Sequence, residues 1–179
     1  MEEYVIGIDI GGTLARAIVL ESTNFEIKDQ LTEESSDNGL ELVQIIKSLV
    51  RKLENNTKQS FTSLGIGIAG LAHKSGIVRY SPNLPSLIEF PIADEIKKDL
   101  GIPVVVGNDA TVGTIAEWKI GAGKGSENFA LVTLGTGIGT GFVVNGNLLL
   151  GSNGFAGEAG HMTLDVNGPV HLTGQKGPW

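Results

Sequence analysis

Four glycines at alternate positions, Gly135-Thr136-Gly137-Ile138-Gly139-Thr140-Gly141, stand between the apolar runs 129–134 and 142–144. Strand, glycine turn, strand reads as a tight hairpin whose backbone N–H groups are not screened by Cβ atoms. Such groups make a concavity suited to phosphate oxygens. A second unit of the same kind lies near the start, where residues 5–10 run into Gly11-Gly12-Thr13 and then into Arg16-Ala-Ile-Val-Leu20. Each loop alone reads equally well as an ordinary turn. Two together, with Asp9 beside the first and a threonine in both, suggest one nucleotide gripped from two sides. Neither loop is a P-loop or a dinucleotide fingerprint, because no G-x-x-x-x-G-K-[ST] occurs and a strand, not a helix, follows the glycines.

Other residues have types and settings that suit chemistry. Asp109 follows the buried run 104–106 and opens a helical pattern, so it is either a helix cap or a carboxylate able to take a proton from a hydroxyl attacking a phosphate. Glu158 and His161 sit three residues apart among Gly154, Gly157 and Gly160, which reads as a solvated loop or as a pair of acceptors for sugar hydroxyls. Asp9, between Ile8 and Ile10, is expected to be buried. There it either hydrogen-bonds the Gly11-Gly12-Thr13 turn or reaches Mg²⁺ through water. Asn83 is held between Pro82 and Leu84-Pro85, either in an Asx turn or presented to a ligand. Arg16 and Lys124 read as solvated.

The elements that must position these residues follow from periodicity. Strands are predicted over 4–10, 14–20, 25–31, 63–69, 76–80 and 104–106, with a further strand near 147–150. Helices are predicted over 39–54, with Leu40, Val43, Ile46, Val50 and Leu53 on the apolar side, over 93–100, and over 110–121, with Val112, Ile115, Ala116 and Ile120 on one face. Three antiparallel strands leading into β-α-β units imply an α/β fold with a mixed sheet. The order restarts after residue 107, so two related lobes are expected, 1–107 and 108–179, with a small-molecule cleft between them.

Composition excludes several classes. The 179 residues are 41% hydrophobic and 18% charged, with a net charge of −7, which fits a globular protein and disfavours a nucleic-acid partner. The absence of cysteine removes disulfides and thiolate metal sites. No apolar stretch approaches the ~20 residues of a membrane helix, and the acidic start Met1-Glu2-Glu3-Tyr4 leads directly into a strand. No leader is expected, and the cytoplasm is the expected compartment.

Five strings together resemble the ROK family of sugar kinases, within the actin-like and hexokinase-like ATPase superfamily. They are Asp9-Ile-Gly-Gly-Thr13, Ser81-Pro-Asn-Leu84, Gly107-Asn-Asp-Ala110, Leu134-Gly-Thr-Gly-Ile-Gly-Thr-Gly141 and Gly157-Glu-Ala-Gly-His161. The resemblance spans essentially the whole chain and looks most like the glucokinase branch. It implies two actin-like (ribonuclease H-like) lobes and ATP-dependent phosphorylation of a hexose 6-hydroxyl. Asp109 would be the base, with Gly70, Asn83, Asn108, Asp109, Glu158 and His161 holding the sugar. Asp9, Gly11, Gly12 and Thr13 would serve Mg²⁺ and phosphate, and Gly135, Thr136, Gly137 and Gly139 would form the second phosphate loop. Relatives commonly form homodimers. The family's repressor branch carries an N-terminal helix-turn-helix, which this chain, beginning at the first strand, is not expected to share.

Two departures qualify the resemblance. The family usually carries a C-x-C-G-x-x-G-C zinc motif after its Gly-His. Here the run is His171-Leu-Thr-Gly-Gln-Lys-Gly-Pro178, so no structural zinc is expected. Family chains are also longer. The part of the second lobe that covers its sheet and forms the adenine pocket would follow Trp179, leaving an apolar face uncovered. The alternative expectation is a catalytically silent sugar-binding or interaction module.

Overall fold

The computed structural model describes residues 3–135, 137–171 and 174–178. They form two compact units, Met1–Asp109 and Ala110–Trp179. The sequence places the division two residues earlier. It moves because the last strand of the first unit extends to Asn108, which pairs with Ile68.

The first unit is built on β1 (Tyr4–Ile10), β2 (Leu14–Glu21), β3 (Ile27–Glu34), β4 (Phe61–Ile68) and β7 (Val104–Asn108), in the sheet order β3-β2-β1-β4-β7. β1, β2 and β3 pair antiparallel; β1, β4 and β7 pair parallel. A two-stranded ribbon, β5 (Leu71–Ala72) with β6 (Val78–Tyr80), lies between β4 and α2 in the chain. β5 is absent from the sequence reading, because two residues show no alternation. β3 begins later than predicted: residues 21–26 form a turn in which the Glu21 carboxylate accepts from Thr23 Oγ1 (2.5 Å) and Asn24 Nδ2 (3.0 Å).

Alternation sets the buried face of the sheet. Ile6, Ile8 and Ile10, with Ala15, Ala17 and Val19, Leu64, Ile66 and Ile68, and Val104 and Val106, all bury together. Helix α1 (Gly39–Thr57) packs on β2 and β3, and α2 (Ile92–Leu100) on β7 and α1. Asn38 caps α1 by accepting from the Leu40 and Glu41 N–H groups, and Lys58 ends it in the left-handed conformation. The apolar face of α1 is Leu42, Val43, Ile46, Leu49, Val50 and Leu53. Leu40, expected on that face, is 62% exposed, because it sits in the first turn outside the stripe.

The second unit takes α3 (Asp109–Ile120) after its first residue, then β8 (Phe129–Leu134), β9 (Ile138–Val144) and β10 (Asn147–Leu148) in a three-stranded antiparallel sheet, and a 3-10 turn at Ala159–His161. Among the described residues its buried hydrophobic side chains are Ala110 and Val143 alone. The face of α3 expected to bury, including Val112, Ile115 and Ile120, is exposed; the helix instead buries Ala110, Thr111 and Thr114. Leu134 is 79% exposed. No helix among the described residues is long and apolar enough to cross a membrane.

One polar contact sits inside the first unit's helical layer. The Lys47 side chain on α1 is only 5% exposed, and its Nζ lies 2.5 Å from Asp99 Oδ2 on α2. Donation from Lys47 and its charge hold the Asp99 carboxyl below the ordinary aspartate range. A depressed carboxyl contributes stability above its unfolded-state value, and that contribution is lost as pH falls through the folded value. Asp99→Asn is therefore expected to lower the melting temperature at pH 7 by a few degrees, with the gap closing below about pH 4, as read by thermal unfolding at both pH values.

Candidate functional site

The parallel ladder brings three strand ends into one row. Ile10 at the end of β1 pairs with Ile68 at the end of β4, and Ile68 pairs with Asn108 at the end of β7. The residues that follow are Gly11-Gly12-Thr13, Ala69-Gly70 and Asp109. The carboxyl ends of parallel strands are where open α/β sheets bind ligands, because the chain leaves the ladder there with side chains and N–H groups free to face outward.

Close contacts join these ends. Asn108 Nδ2 donates to the Gly70 carbonyl at 3.1 Å. Gly70 has φ +122°, and a Cβ there would meet the Tyr80 carbonyl oxygen at 2.3 Å and Ser81 Cα at 2.8 Å. A Cβ on Gly12 would stand 3.0 Å from the Asn83 carbonyl oxygen. Asn83 is itself exposed, while the neighbouring Leu84 is 1% exposed and anchors the loop. Gly12, Gly70, Asn83 and Asn108 thus form one continuous set of contacts. Ser81, fully buried beside Gly70, and Ser35, whose N–H donates to the Thr13 carbonyl, carry the two buried side-chain polar atoms without a partner among the described residues.

Asp9 differs from expectation. Its side chain is 59% exposed, because alternation sends Ile8 and Ile10 to the core and Asp9 to the opposite face of β1. The antiparallel register sets it directly opposite Arg16, with Nη1 3.6 Å from Oδ2. Partial burial raises the Asp9 carboxyl above its ordinary range; the Arg16 charge and hydrogen bond pull it down, and the Asp109 carboxylate pushes it up. Asp9 thus stands beside the Arg16 guanidinium and within the field of the exposed Asp109 carboxylate. Arg16 is the residue the sequence reading passed over. Its signal was the hairpin count: a four-residue turn over 11–14 pairs positions 10 and 15, and then 9 and 16.

In the second unit the glycine loop divides into two halves. Among the described residues, Gly135 and Gly137 have no atom within 4 Å of where a Cβ would stand, and the Gly135 N–H donates to the Gly137 carbonyl at 3.0 Å. Gly139 lies in β9, donates its N–H to Thr133 Oγ1 at 3.2 Å, and packs where a Cβ would meet Ala110 Cβ at 2.8 Å. Gly141 packs likewise on Thr114. Thr136 lies outside the described residues. Glu158 and His161 are both exposed, with Oε2 and Nε2 3.8 Å apart across the 3-10 turn. Their segment is pinned to β9: Thr140 Oγ1 donates to the Gly157 carbonyl and accepts the Ala159 N–H at 3.1 Å. His161 and His171 rings stand edge to face with centroids 6.0 Å apart.

These surroundings fit the groups that the resemblance implies. Open space at Gly135 and Gly137, which have no Cβ, suits phosphate oxygens. No group of three or more His, Cys, Asp or Glu is placed to hold a metal among the described residues. The exposed Asp9 carboxylate is of a type that can reach Mg²⁺ through water, since that ion keeps most of its waters and takes few protein ligands.

A family model described as the ROK family matches residues 5–179. The chain is 36% identical to the glucokinase of Thermotoga maritima, over 97% of this chain and 55% of that one. It is 31% identical to the xylose repressor of Bacillus subtilis, over 98% of this chain and 46% of that one. Among solved structures it resembles a ROK family glucokinase from Streptomyces griseus in complex with glucose and AMPPNP, with a TM-score of 0.87 and 31% identity over 98% of this chain and 55% of that one. The chain spans about half the length of the curated relatives it matches. The α/β fold is therefore the two-lobed, actin-like arrangement, with the opening part of the second lobe.

The glycine at position 70 is required twice over, by its φ and by the Tyr80 carbonyl. Gly70→Ala is expected to cost at least ~2 kcal/mol in denaturant unfolding, while Gly101→Ala, with φ +65° and open space around it, costs ~1 kcal/mol. Equal losses at the two positions would refute the close approach at Gly70.

Proposed function

The chain belongs to the ROK family, and on that premise we propose that its protein transfers the γ-phosphoryl group of ATP to the 6-hydroxyl of a hexose, with glucose the first candidate. The observation that carries this reading is the row of strand ends. It sets Asp109 directly after Asn108, and Asn108 is fastened to Gly70 beside the Asn83 loop.

Each residue has a role in the proposal. The Asp109 carboxylate accepts the proton of the attacking hydroxyl, so that the oxygen becomes nucleophilic as it meets the phosphorus. Asn108 and Asn83 orient the sugar, with the Gly70 backbone giving the close approach. Glu158 and His161 are the sugar-binding candidates within the second unit. In the first phosphate loop Gly12 and Thr13 present backbone N–H groups, with Gly11 closing the turn on the Leu14 carbonyl. In the second, Gly135, Thr136, Gly137 and Gly139 are the proposed phosphate residues, Gly135 and Gly139 shaping the loop through N–H groups donated to the Gly137 carbonyl and Thr133 Oγ1. Asp9 orders the waters of a magnesium ion, whose charge offsets the phosphate charge when bound. ATP as co-substrate makes the cytoplasm the natural setting.

The test is a coupled assay with Mg-ATP and a panel of hexoses. Asp109→Asn is expected to lower kcat by about 10²–10⁴-fold while the hexose dissociation constant from calorimetry moves little. An Asp109→Asn protein with wild-type kcat would remove the base assignment. Hexose binding by the wild-type protein without turnover or nucleotide binding would favour a sugar-binding module instead.

A further inference from the structure

The segment after His161 folds back on itself. Leu164 N–H donates to the Gly177 carbonyl (2.7 Å), Gly177 N–H to the Pro169 carbonyl (2.8 Å), and Thr163 bridges Pro178 while Val170 bridges Lys176. Gln175 joins this return to both histidines. Its Nε2 donates to the His161 carbonyl oxygen (2.5 Å) and to Thr163 Oγ1 (3.0 Å), and its own carbonyl accepts the His171 N–H (2.8 Å). The His161 carbonyl is only an acceptor, so the amide nitrogen must face it, and the orientation of the side chain is set.

The segment carrying Glu158 and His161 is therefore held at two ends. Thr140 grips its start, at Gly157 and Ala159. At Gly160 a Cβ would meet the Ile138 carbonyl oxygen at 2.2 Å, so the middle lies flat on β9. The end, at His161, is tied by a side chain fourteen residues further on. The 179 residues include no cysteine, so no disulfide among them fastens this loop.

We propose that Gln175 is a positioning residue, whose side-chain amide clasps the His161 carbonyl and holds Glu158 and His161 in the geometry that receives the hexose. The sugar part of this inference rests on the proposed function; the clasp itself does not. It acts through His161 and touches no substrate. Its loss loosens the sugar contacts without altering the phosphoryl-transfer step.

Two variants of similar size test it. Gln175→Met removes both N–H donors without adding charge, and Gln175→Glu sets a carboxylate against the His161 carbonyl. Hydrogen exchange read by mass spectrometry is expected to speed up by roughly threefold to tenfold in peptides covering 158–164, with peptides of α1 and β4 unchanged. Calorimetry is expected to show weaker hexose binding by a similar factor, and turnover to show a raised hexose KM with kcat within about twofold of wild type. Unchanged exchange at 158–164 in both variants would overturn the clasp. Faster exchange with an unchanged hexose constant, or kcat falling with KM unmoved, would overturn the positioning role and leave only a structural tie. If the wild-type protein binds no hexose, the proposed function fails, and the exchange measurement still decides the clasp.

Discussion

The backbone ladder joining β1, β4 and β7 is the constraint on which the first unit's site depends. Parallel hydrogen bonding in register makes three strands stop side by side, at Ile10, Ile68 and Asn108. Everything proposed for that site in the first unit leaves the sheet within a few residues of this line or packs against what does. A slip of one residue in any of the three strands would invert its inward and outward faces, sending Asp9 to the core or Ile68 to the surface. The core and the site are therefore specified by the same register, with isoleucines on one face fixing where the carboxylates stand on the other.

Small residues convert that register into contact. Gly12 lets the Asn83 backbone approach the first loop, and Gly70 lets the Tyr80–Ser81 backbone approach the β4 end. In the second unit, Gly139 and Gly141 bring β9 against α3. The glycine-rich string thus does two jobs. Its first two glycines stand in open space, and its last two make a packing surface.

Much of this was legible from residues in line. The strand at 4–10 and the placing of Asp109 after a buried run both follow from local pattern. What local pattern missed depends on partners distant in sequence. Asp9 read as buried because its neighbours are isoleucines, but alternation and the pairing with Arg16 turn it outward. The apolar face of α3 read as core, yet the residues that bury are Ala110, Thr111 and Thr114, chosen by the glycines of β9 above them. Gln175 had no local signature at all, since its meaning comes from a carbonyl fourteen residues earlier.

The uneven burial of the two units has a spectroscopic and calorimetric consequence. The heat-capacity increment of unfolding and the sensitivity to urea both scale with the apolar surface uncovered. The hydrophobic core cluster lies wholly between Tyr4 and Val106, whereas Ala110 and Val143 are the buried hydrophobics described beyond it. Unfolding of the first unit therefore dominates both quantities, and the second unit opens with a shallow, weakly cooperative response. Trp118 lies in the second unit, and both tyrosines, Tyr4 and Tyr80, lie in the first. Indole and phenol emission consequently report different melting events, and their curves separate instead of tracing one two-state transition.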